Sequence, residues 1–326
     1  SLYKDGELVD QIDSYFGMRK ISIEGDKVFL NNQPLYQKLI LDQGYWPESL
    51  VTPPSDQALK KDLELTKKMG FNGVRKHQKI EDDRFYYWAD KLGLLVWAEI
   101  GSTYQYNDQA VENFSSQWLR VVKELYNHPS IICWVPFNES WGIEDVKQNK
   151  KQQHFTESIY YLTKSIDSER PIIANDGWEH TISDIITFHD YVEDTDKLRK
   201  TYVESIDQLL QNQEVFNDQE YITGGKFIMA DNYYYQGQPI IFSEFGGIAF
   251  QDKEGWGYGE QVETKEELSQ RMNQLMEIIK DADYFEGYCY TQLTDVEQEK
   301  NGLLDENREF KLDLEKIIEF NQIVDQ

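Results

Sequence analysis

The amino-acid sequence predicts an α/β protein, a (β/α)8 barrel that follows a short N-terminal β segment. The first observation behind this prediction is that eight short apolar runs are separated by stretches of helical periodicity. The second is that these runs are apolar on both faces, which is typical of parallel strands covered by helices. The third is that no glycine-rich phosphate loop follows the first run, although an open doubly wound sheet would often show one.

The predicted strands are spread along most of the chain. They occupy residues 38–46, 70–77, 92–100, 130–138, 171–176, 184–191, 239–247 and 285–293. Three of them are introduced by Pro129, Pro171 and Pro239, each of which ends the segment before it.

Four amphipathic stretches between the strands are predicted to be helices. They cover residues 55–70, 81–93, 110–130 and 266–283. Ser55 is in position to cap the first helix at its N-terminus. Gly70 and Gly93 are placed to end the first two helices, because glycine readily adopts the left-handed conformation found there.

Residues 1–33 do not share this alternation and are assigned to a separate unit, with the barrel covering residues 34–326. The stretch 13–35 ("DSYFGMRKISIEGDKVFLNNQPL") alternates as β-strands do, with a turn predicted at Gly25-Asp26. Two interpretations stay open. The segment is either a hairpin that closes the floor of the barrel or the tail of a preceding β-sandwich domain.

Composition narrows the classes of partner. The formal net charge is −26 and the sequence pI is near 4.5, so nucleic acids and anionic membranes would be repelled. Aromatic residues make up 14% of the chain, and such side chains either fill cores or stack on sugar rings.

No apolar run approaches about 18 residues, so no membrane span is predicted. No signal peptide is recognised, and a cytoplasmic location is expected.

In a barrel of this type the active site lies at the C-terminal ends of the strands. Each predicted strand ends in polar or ionisable residues. These are Asp42, Arg75, His77, Glu99, Asn138, Glu139, Asp176, His189, Asp190, Tyr191, Glu244 and Gln292. Among them, Glu139 and Glu244 stand out because each closely follows a strongly apolar run.

Glu139 and Glu244 come from the fourth and seventh predicted strands, which face each other across a barrel. Glycoside hydrolysis uses two carboxyl groups, one as proton donor to the leaving oxygen and the other as nucleophile or as base on a water. A separation of about 5–5.5 Å between them leads to retention of configuration. The two residues are therefore predicted to be a catalytic pair that grips one sugar ring.

Four stretches resemble glycoside hydrolase family 2, the β-galactosidase, β-glucuronidase and β-mannosidase group. They are "GFNGVRKHQKIEDDRFYYWADKLGLLVWAEI" (70–100), "NHPSIICWVPFNESWG" (127–142), "IIFSEFGG" (240–247) and "YTQLTDVEQEKNGLLDENREFK" (290–311). They occur in the family's order and span nearly the whole chain. The resemblance implies a TIM barrel that cleaves β-linked sugars with retention.

The resemblance also implies individual roles. Glu139 would be the general acid/base and would carry the proton at rest, while Asn138 would hold the sugar 2-hydroxyl. Glu244 would be the nucleophile that forms a covalent glycosyl-enzyme. Arg75 would lie beside Glu244 and lower its pKa, and Tyr191 would donate a hydrogen bond to it.

The remaining candidates for substrate contact are Asp42, Trp46, His77, Trp141, His189 and Gln292. Five tryptophans are either stacking walls or core residues, namely Trp46, Trp97, Trp141, Trp178 and Trp256. A second possibility for the polar strand ends is a metal-dependent hydrolase built on His77, Glu99, His189 and Asp190. The first strand lacks the His-x-His of such enzymes, so no metal and no cofactor are predicted. Cys133 and Cys289 lie in apolar runs and are expected to be buried thiols.

Three departures from the family bear on specificity. Leu41-Asp42-Gln43-Gly44 stands where family members usually carry Asn-(Arg or Lys)-His-Glu. Glu299-Lys300-Asn301 stands where glucuronidases carry Asn-x-Lys, which argues against a glucuronide. Trp141-Gly142 follows the acid/base signature where metal-site members often have Gly-His, and no Mg²⁺ ligand set is evident.

These observations predict a retaining glycosidase for a neutral β-linked sugar, with a β-galactoside as the first expectation. β-Glucuronidase or β-mannosidase specificity is the alternative within the family. An alternative from another class is a non-catalytic sugar-binding barrel, or a fragment that is inactive without further domains. The resemblance implies upstream sugar-binding and immunoglobulin-like domains, with residues 1–33 as the tail of the preceding immunoglobulin-like domain and a linker. A homo-oligomer stays open.

Overall fold

The computed structural model describes residues 1–207, 210, 214–215, 226–250 and 255–325. Its centre is a curled parallel sheet of seven strands. These strands are β6 (Gln37–Asp42), β7 (Gly73–Lys76), β8 (Leu95–Glu99), β9 (Ile131–Val135), β10 (Ile186–His189), β13 (Ile240–Gly246) and β14 (Phe285–Thr291). Their order in the sheet is β10-β13-β14-β6-β7-β8-β9. The fold predicted from the sequence is therefore confirmed as an α/β barrel.

The fifth predicted strand, residues 171–176, is irregular. It forms isolated parallel bridges, from Ile172 to Trp134 of β9 and from Asp176 to Asn138 just after β9. On its other side, side chains rather than a strand ladder accept its backbone N–H groups. Ala174 donates to Oγ of Ser183 at 3.2 Å, and Gly177 donates to Oγ1 of Thr187 at 2.9 Å. Because side chains replace the ladder on this side, residues 171–176 close the barrel without forming a regular strand.

Seven α-helices are described outside the sheet. They are α1 (Asp56–Lys68), α2 (Asp83–Leu92), α3 (Asp108–Leu125), α4 (Lys150–Ile166), α5 (Thr195–Arg199), α6 (Lys265–Asp281) and α7 (Leu314–Gln322). The predicted punctuation is confirmed, since Oγ of Ser55 accepts from the backbone of Ala58 and both Gly70 and Gly93 have positive φ. A π-helical turn (Lys200–Glu204) and a 3-10 turn (Ile323–Asp325) extend two of the helices. None of the described helices is long and apolar enough to cross a bilayer.

The N-terminal residues form two small antiparallel sheets. One pairs β1 (Leu2–Lys4) with β2 (Glu7–Asp10), and the other contains β3 (Ile21–Glu24), β4 (Lys27–Leu30) and β5 (Gln33–Pro34). A further short pair joins β11 (Glu214–Val215) and β12 (Lys226–Phe227).

The apolar side chains divide into two layers on the two faces of the sheet. The larger layer lies between the sheet and the helices and includes Ile40, Val74, Ala98, Phe242 and Tyr290. The smaller layer fills the barrel interior and consists of Leu39, Leu41, Trp97, Ile132, Cys133, Val135, Ile173, Ile185, Ile241 and Cys289, joined by Ile21 and Val28 of the β3–β4 hairpin. The hairpin therefore packs against the interior residues. Burial of both cysteines is confirmed.

Candidate active site

The polar residues of the site project from the carboxyl ends of the barrel strands. Glu244 lies in β13, opposite His189 of β10 in the strand register. Glu139 follows β9 in the chain. One carboxylate oxygen of Glu139, one of Glu244 and one ring nitrogen of His189 all lie within 4.8 Å of one another. Folding thus brings the two predicted carboxyl groups together at one point.

Arg75 organises the floor of this site. Its Nη1 lies 2.6 Å from Oε1 of Glu244 and 2.8 Å from Oδ2 of Asp176. Its Nε donates to Glu99 at 2.7 Å, and Nη2 donates to Oδ1 of Asn138 at 2.7 Å. Burial disfavours the guanidinium charge, but the surrounding carboxylates outweigh burial and raise the pKa of Arg75 well above its usual value. A fixed cation therefore lies under the carboxyl groups.

Glu244 is buried and held at both oxygens. Oε1 accepts from Arg75, and Oε2 accepts from the hydroxyl of Tyr191 at 2.5 Å. Burial alone would raise the pKa of Glu244, but the positive charges of His189, Arg75 and His77 outweigh burial and lower this pKa. Glu244 is therefore an ionised carboxylate in a fixed orientation, which is the state that a nucleophile requires.

Tyr191 is itself oriented by Tyr258, a residue that the sequence did not single out. The two rings stack with centroids 3.5 Å apart and an interplanar angle of 7°. Gly247 makes this possible, since a Cβ there would lie 2.4 Å from the ring of Tyr258 and 3.1 Å from that of Tyr191. No residue pattern around Tyr258 indicates the contact, because it depends on how the loop after β13 folds back.

His189 lies between the two carboxyl groups. Its Nδ1 is 2.8 Å from Oε1 of Glu139 and 3.6 Å from Oε1 of Glu244. Its Nε2 is 3.1 Å from Oδ2 of Asp176. Burial lowers the pKa of His189, but the charges of Glu244 and Asp176 and the hydrogen bonds to Asp176 and Glu139 outweigh it and raise the pKa to about 10. The imidazole is thus held in its cationic form.

The same three residues, Glu139, His189 and Glu244, are close enough to surround a single cation. A metal ligand must offer a lone pair, so His189 could bind a cation here only through a ring nitrogen that carries no hydrogen.

Glu139 adopts an unusual backbone conformation. It has φ of 53° and Ser140 has φ of 59°, so two successive non-glycine residues are left-handed. Each such residue costs of the order of 1–3 kcal/mol. Glu139 N donates to the carbonyl of Asp176 at 2.9 Å, and Ser140 N donates to Oδ1 of Asn175 at 3.0 Å. These bonds offset the strain and aim Glu139 at the mouth of the site, where its side chain is 26% exposed.

His77 lies on the other side of Glu244. Its Nδ1 is 3.4 Å from Glu99 and 3.8 Å from Glu244. Burial lowers the pKa of His77, but the hydrogen bond to Glu99 and the charge of Glu99 outweigh it and raise this pKa. The structure therefore brings Arg75, Asn138, Glu139, His77, His189, Tyr191 and Glu244 into one cluster, together with Glu99 and Asp176.

Asp42 and Trp46, which the sequence also offered for substrate contact, lie outside this cluster. Strand residues alternate between the two faces, and Leu41 takes the interior position. Asp42 consequently points outward, where it pairs with Lys76 at 2.8 Å. Trp46 is buried, with Nζ of Lys79 5.1 Å and the guanidinium of Arg308 5.2 Å from its ring centroid.

The tryptophans divide into core and rim. Trp97 lies in the barrel interior, where its Nε1 donates to Gln37 at 2.8 Å, and Trp178 is buried against His189. Trp141 and Trp256 keep 48% and 49% of their surface exposed. Of the five tryptophans considered as stacking walls, Trp141 and Trp256 are the two whose rings are exposed enough to contact a sugar.

Gln292 belongs to a polar wall between the ends of β6 and β14, which we call the amide wall. It consists of Gln43, Gln292, Glu299 and Asn301. Nε2 of Gln43 donates to Gln292 and to Glu299, at 2.9 Å in each case. Asn301 accepts from Gln292 at 2.7 Å and donates to Glu299 at 3.1 Å. Residues 41–44, 292 and 299–301 are far apart in the sequence, and only the fold brings them together.

Comparison with known proteins agrees with this fold. The family described as "Glycosyl hydrolases family 2, TIM barrel domain" matches residues 21–299. Among curated proteins, a β-glucuronidase of Bacteroides fragilis is 29% identical over 206 residues, which is 59% of this chain and 28% of that protein. A β-galactosidase of Lactococcus lactis is 30% identical over 183 residues, which is 53% of this chain and 17% of that protein. The chain thus spans less than a third of these relatives.

Solved structures show the same architecture. A β-galacturonidase of Eisenbergiella tayi bound to galacturonate has a TM-score of 0.75 at 20% identity, covering 94% of this chain and 54% of that one. A β-glucuronidase of Ruminococcus gnavus has a TM-score of 0.73 at 17% identity, covering 94% of this chain and 52% of that one. Since the family match extends over most of the barrel, the chain belongs to glycoside hydrolase family 2 and contains its TIM barrel domain.

Proposed function

We propose that this chain carries the catalytic centre of a retaining β-glycosidase, with Glu139 as acid/base and Glu244 as nucleophile. The observation that carries the proposal is the placement of an oxygen of each carboxyl group within 4.8 Å of the other. Retaining enzymes hold their carboxyl groups about 5–5.5 Å apart, whereas inverting enzymes need roughly 6.5–9.5 Å to admit a water. The close spacing supports double displacement.

In the first step an oxygen of Glu244 forms a bond to the anomeric carbon. The bond from that carbon to the aglycone oxygen breaks, and Glu139 gives this oxygen its proton. In the second step Glu139 takes a proton from water as the water oxygen attacks the anomeric carbon. The ester bond to Glu244 then breaks, and both residues return to their starting states.

The environments of the two residues support this division of roles. Glu244 is buried, ionised and held by Arg75 and Tyr191, as an attacking carboxylate should be. Glu139 is partly exposed at the mouth, where an aglycone would leave and water would enter. Asn138, held by Arg75, lies next to Glu139 in the chain and is the candidate for contact with a sugar hydroxyl.

For the substrate we propose a neutral β-linked sugar, with a β-galactoside as the first choice. The support comes from Glu299 of the amide wall, whose two carboxylate oxygens accept hydrogen bonds only from side-chain amides among the described residues. Its neighbour Lys300 contacts Glu306 at 3.2 Å instead. Burial raises the pKa of the Tyr258 hydroxyl, and the negative charges of Glu244, Glu139 and Glu299 raise it further. Glu299 therefore lies close to this ring. Such an acid would repel the carboxylate of a uronic acid and accept hydrogen bonds from hydroxyls.

A uronide is the second candidate. Its support is that relatives with this barrel are named β-glucuronidase and β-galacturonidase. The rates on nitrophenyl β-galactoside, β-glucoside, β-mannoside, β-glucuronide and β-galacturonide separate the candidates. A preference for the two uronides would overturn the neutral-sugar proposal while leaving the roles of Glu139 and Glu244 intact.

The catalytic proposal is tested with Glu244→Gly. We expect this variant to lose turnover and to regain it with azide, which should yield a glycosyl azide of inverted configuration. The matched control is Glu144→Gly, which removes an exposed carboxylate in the loop after the acid/base and should leave the rate unchanged. A Glu244→Gly variant with the wild-type rate would end the proposal.

Covalent labelling distinguishes an active barrel from an inactive or merely sugar-binding one. Incubation with a 2-fluoro glycosyl fluoride should add one sugar mass to the wild-type chain, and peptide mapping should place it on Glu244. Labelling without steady turnover would indicate intact chemistry in a chain that needs further domains. Binding without labelling would indicate a non-catalytic sugar-binding barrel.

A further inference from the structure

His189 makes contact with acidic groups from three separate elements. Nδ1 faces Glu139 of the loop after β9 at 2.8 Å and Glu244 of β13 at 3.6 Å. Nε2 faces Asp176 of the fifth segment at 3.1 Å. Among the described residues, Arg75 of β7 is a further charged neighbour, with Nη1 3.3 Å from Nε2. The ring of Trp178 packs edge-on with its centroid 5.6 Å away.

These contacts identify the ionisation state of the ring from geometry. An ionised carboxylate only accepts hydrogen bonds, so a nitrogen that bonds to one must carry a hydrogen. Nε2 of His189 has a carboxylate oxygen of Asp176 as its shortest contact, which requires a hydrogen on Nε2. Nδ1 lies 2.8 Å from Glu139 and 3.6 Å from Glu244, so a hydrogen on Nδ1 has an acceptor on each side, and a ring with hydrogens on both nitrogens is positively charged. The raised pKa of the residue agrees with this. Arg75 and His189 are then two neighbouring cations that both contact the carboxylate of Asp176.

The reaction moves negative charge across this cation. Before the first step the charge resides on Glu244, and after it Glu244 is a neutral ester while Glu139 has become a carboxylate. The total charge of the pair is unchanged, but its position shifts from one side of Nδ1 to the other. His189 is placed to pair with either residue without moving.

We propose that His189 is a positioning residue that acts as a permanent cation, stabilising the carboxylate that forms on Glu139 when the proton leaves. This inference rests on the proposed function and deepens it. Its consequence is that loss of His189 slows expulsion of an aglycone that needs a proton more than expulsion of one that departs unassisted. A residue that merely held the loop or Glu244 in place would affect all substrates alike.

The test uses His189→Asn, because the Asn amide nitrogen takes the place of Nδ1 and can still donate to Glu139 without carrying charge. We expect kcat/KM to fall on the order of a hundredfold for a phenyl glycoside, whose leaving group needs a proton. For the 2,4-dinitrophenyl glycoside of the same sugar, whose leaving group departs unassisted, kcat/KM should stay close to wild type. An equal loss on both substrates, or wild-type behaviour on both, would overturn the proposal.

Two further measurements keep the outcome interpretable. Glu139→Ala must show the same steep dependence on the leaving group; if it does not, the proposed function fails, whatever His189 does. In the wild-type chain, which holds five histidines, the ¹⁵N shifts of the His189 ring report its charge without any mutation. We expect an imidazolium both in the free chain and after labelling of Glu244. A neutral ring in either state contradicts a permanent cation.

Discussion

Arg75 and Glu244 form an ion pair across the barrel interior, with 2.6 Å between Nη1 and Oε1. Their strands, β7 and β13, are separated in the sheet by β6 and β14, so the guanidinium reaches over the lumen. The same side chain contacts Glu99 and Asp176, and all three partners are buried. One cation therefore balances carboxylates from β8, β13 and the fifth segment.

Replacing Arg75 by Met should destabilise the fold. The variant removes the guanidinium that contacts three buried carboxylates, and loss of one partner of a buried ion pair costs about 3–5 kcal/mol. The free energy of unfolding from urea denaturation measures the change. The control is Arg84→Met, since the pair of Arg84 with Asp82 at 2.8 Å is exposed and should contribute little to stability. Equal losses in the two variants would contradict the role given to Arg75.

Substitutions of Glu299 should change the choice of sugar. In Glu299→Lys a cation replaces the acid of the amide wall, so the ratio of kcat/KM for β-galacturonide over β-galactoside should rise about tenfold or more, which corresponds to about 1.4 kcal/mol. Glu299→Gln should lower the rate on the galactoside with a smaller change in the ratio. Glu297→Lys is the control, because Glu297 is exposed and its carboxylate contacts the hydroxyl of Tyr45. If the control shifts the ratio as much, Glu299 does not read the sugar.

Trp141 should contribute to binding rather than to stability. Its ring is exposed beside Glu139, and loss of one aromatic contact costs about 0.5–1.5 kcal/mol, so Trp141→Ala should raise KM severalfold. The melting temperature should change little. Trp46→Ala offers the opposite case, since Trp46 is buried and its truncation should cost about 3–5 kcal/mol of stability. A large fall in melting temperature for Trp141→Ala would show that its ring packs rather than binds.

His180 should make the fold sensitive to acid. Burial lowers the pKa of His180 to about 4, and its Nε2 accepts from the backbone N–H of Thr187 at 3.1 Å. The unfolded chain, with an ordinary pKa near 6.5, therefore binds more protons between about pH 4 and 6.5 than the folded one. Stability must rise with pH across this window, and about 3 kcal/mol is lost on going down through it.

His180→Gln checks this dependence, because its amide oxygen can still accept from Thr187 but does not titrate. The free energy of unfolding of wild type minus that of the variant should fall as pH is lowered from 6.5 to 4 and stay level above 7. His154→Gln, at an exposed position of α4, should leave the slope unchanged. A pH-independent difference for His180→Gln would mean that another group is responsible for the acid sensitivity.

The sequence by itself determined the sheet and the main residues at its edge. Long apolar runs that alternate with amphipathic helices require a covered parallel sheet, and polar residues that end such runs must collect at one edge. For this reason Arg75, Glu139 and Glu244 could be named from residue order alone, as could the caps at Ser55 and Gly93. Local signals of this kind depend only on neighbours in the chain.

The tertiary structure decided everything that depends on contacts between distant segments. The face on which Asp42 lies follows from strand register, which one segment cannot specify, and the same is true of the stacking of Tyr258 on Tyr191. The left-handed backbone of Glu139 is imposed by Asp176 and Asn175, which come some 36 residues later in the chain. Only folding places His189 between two carboxylates from other elements, because the charge of a buried group is set by what surrounds it in space.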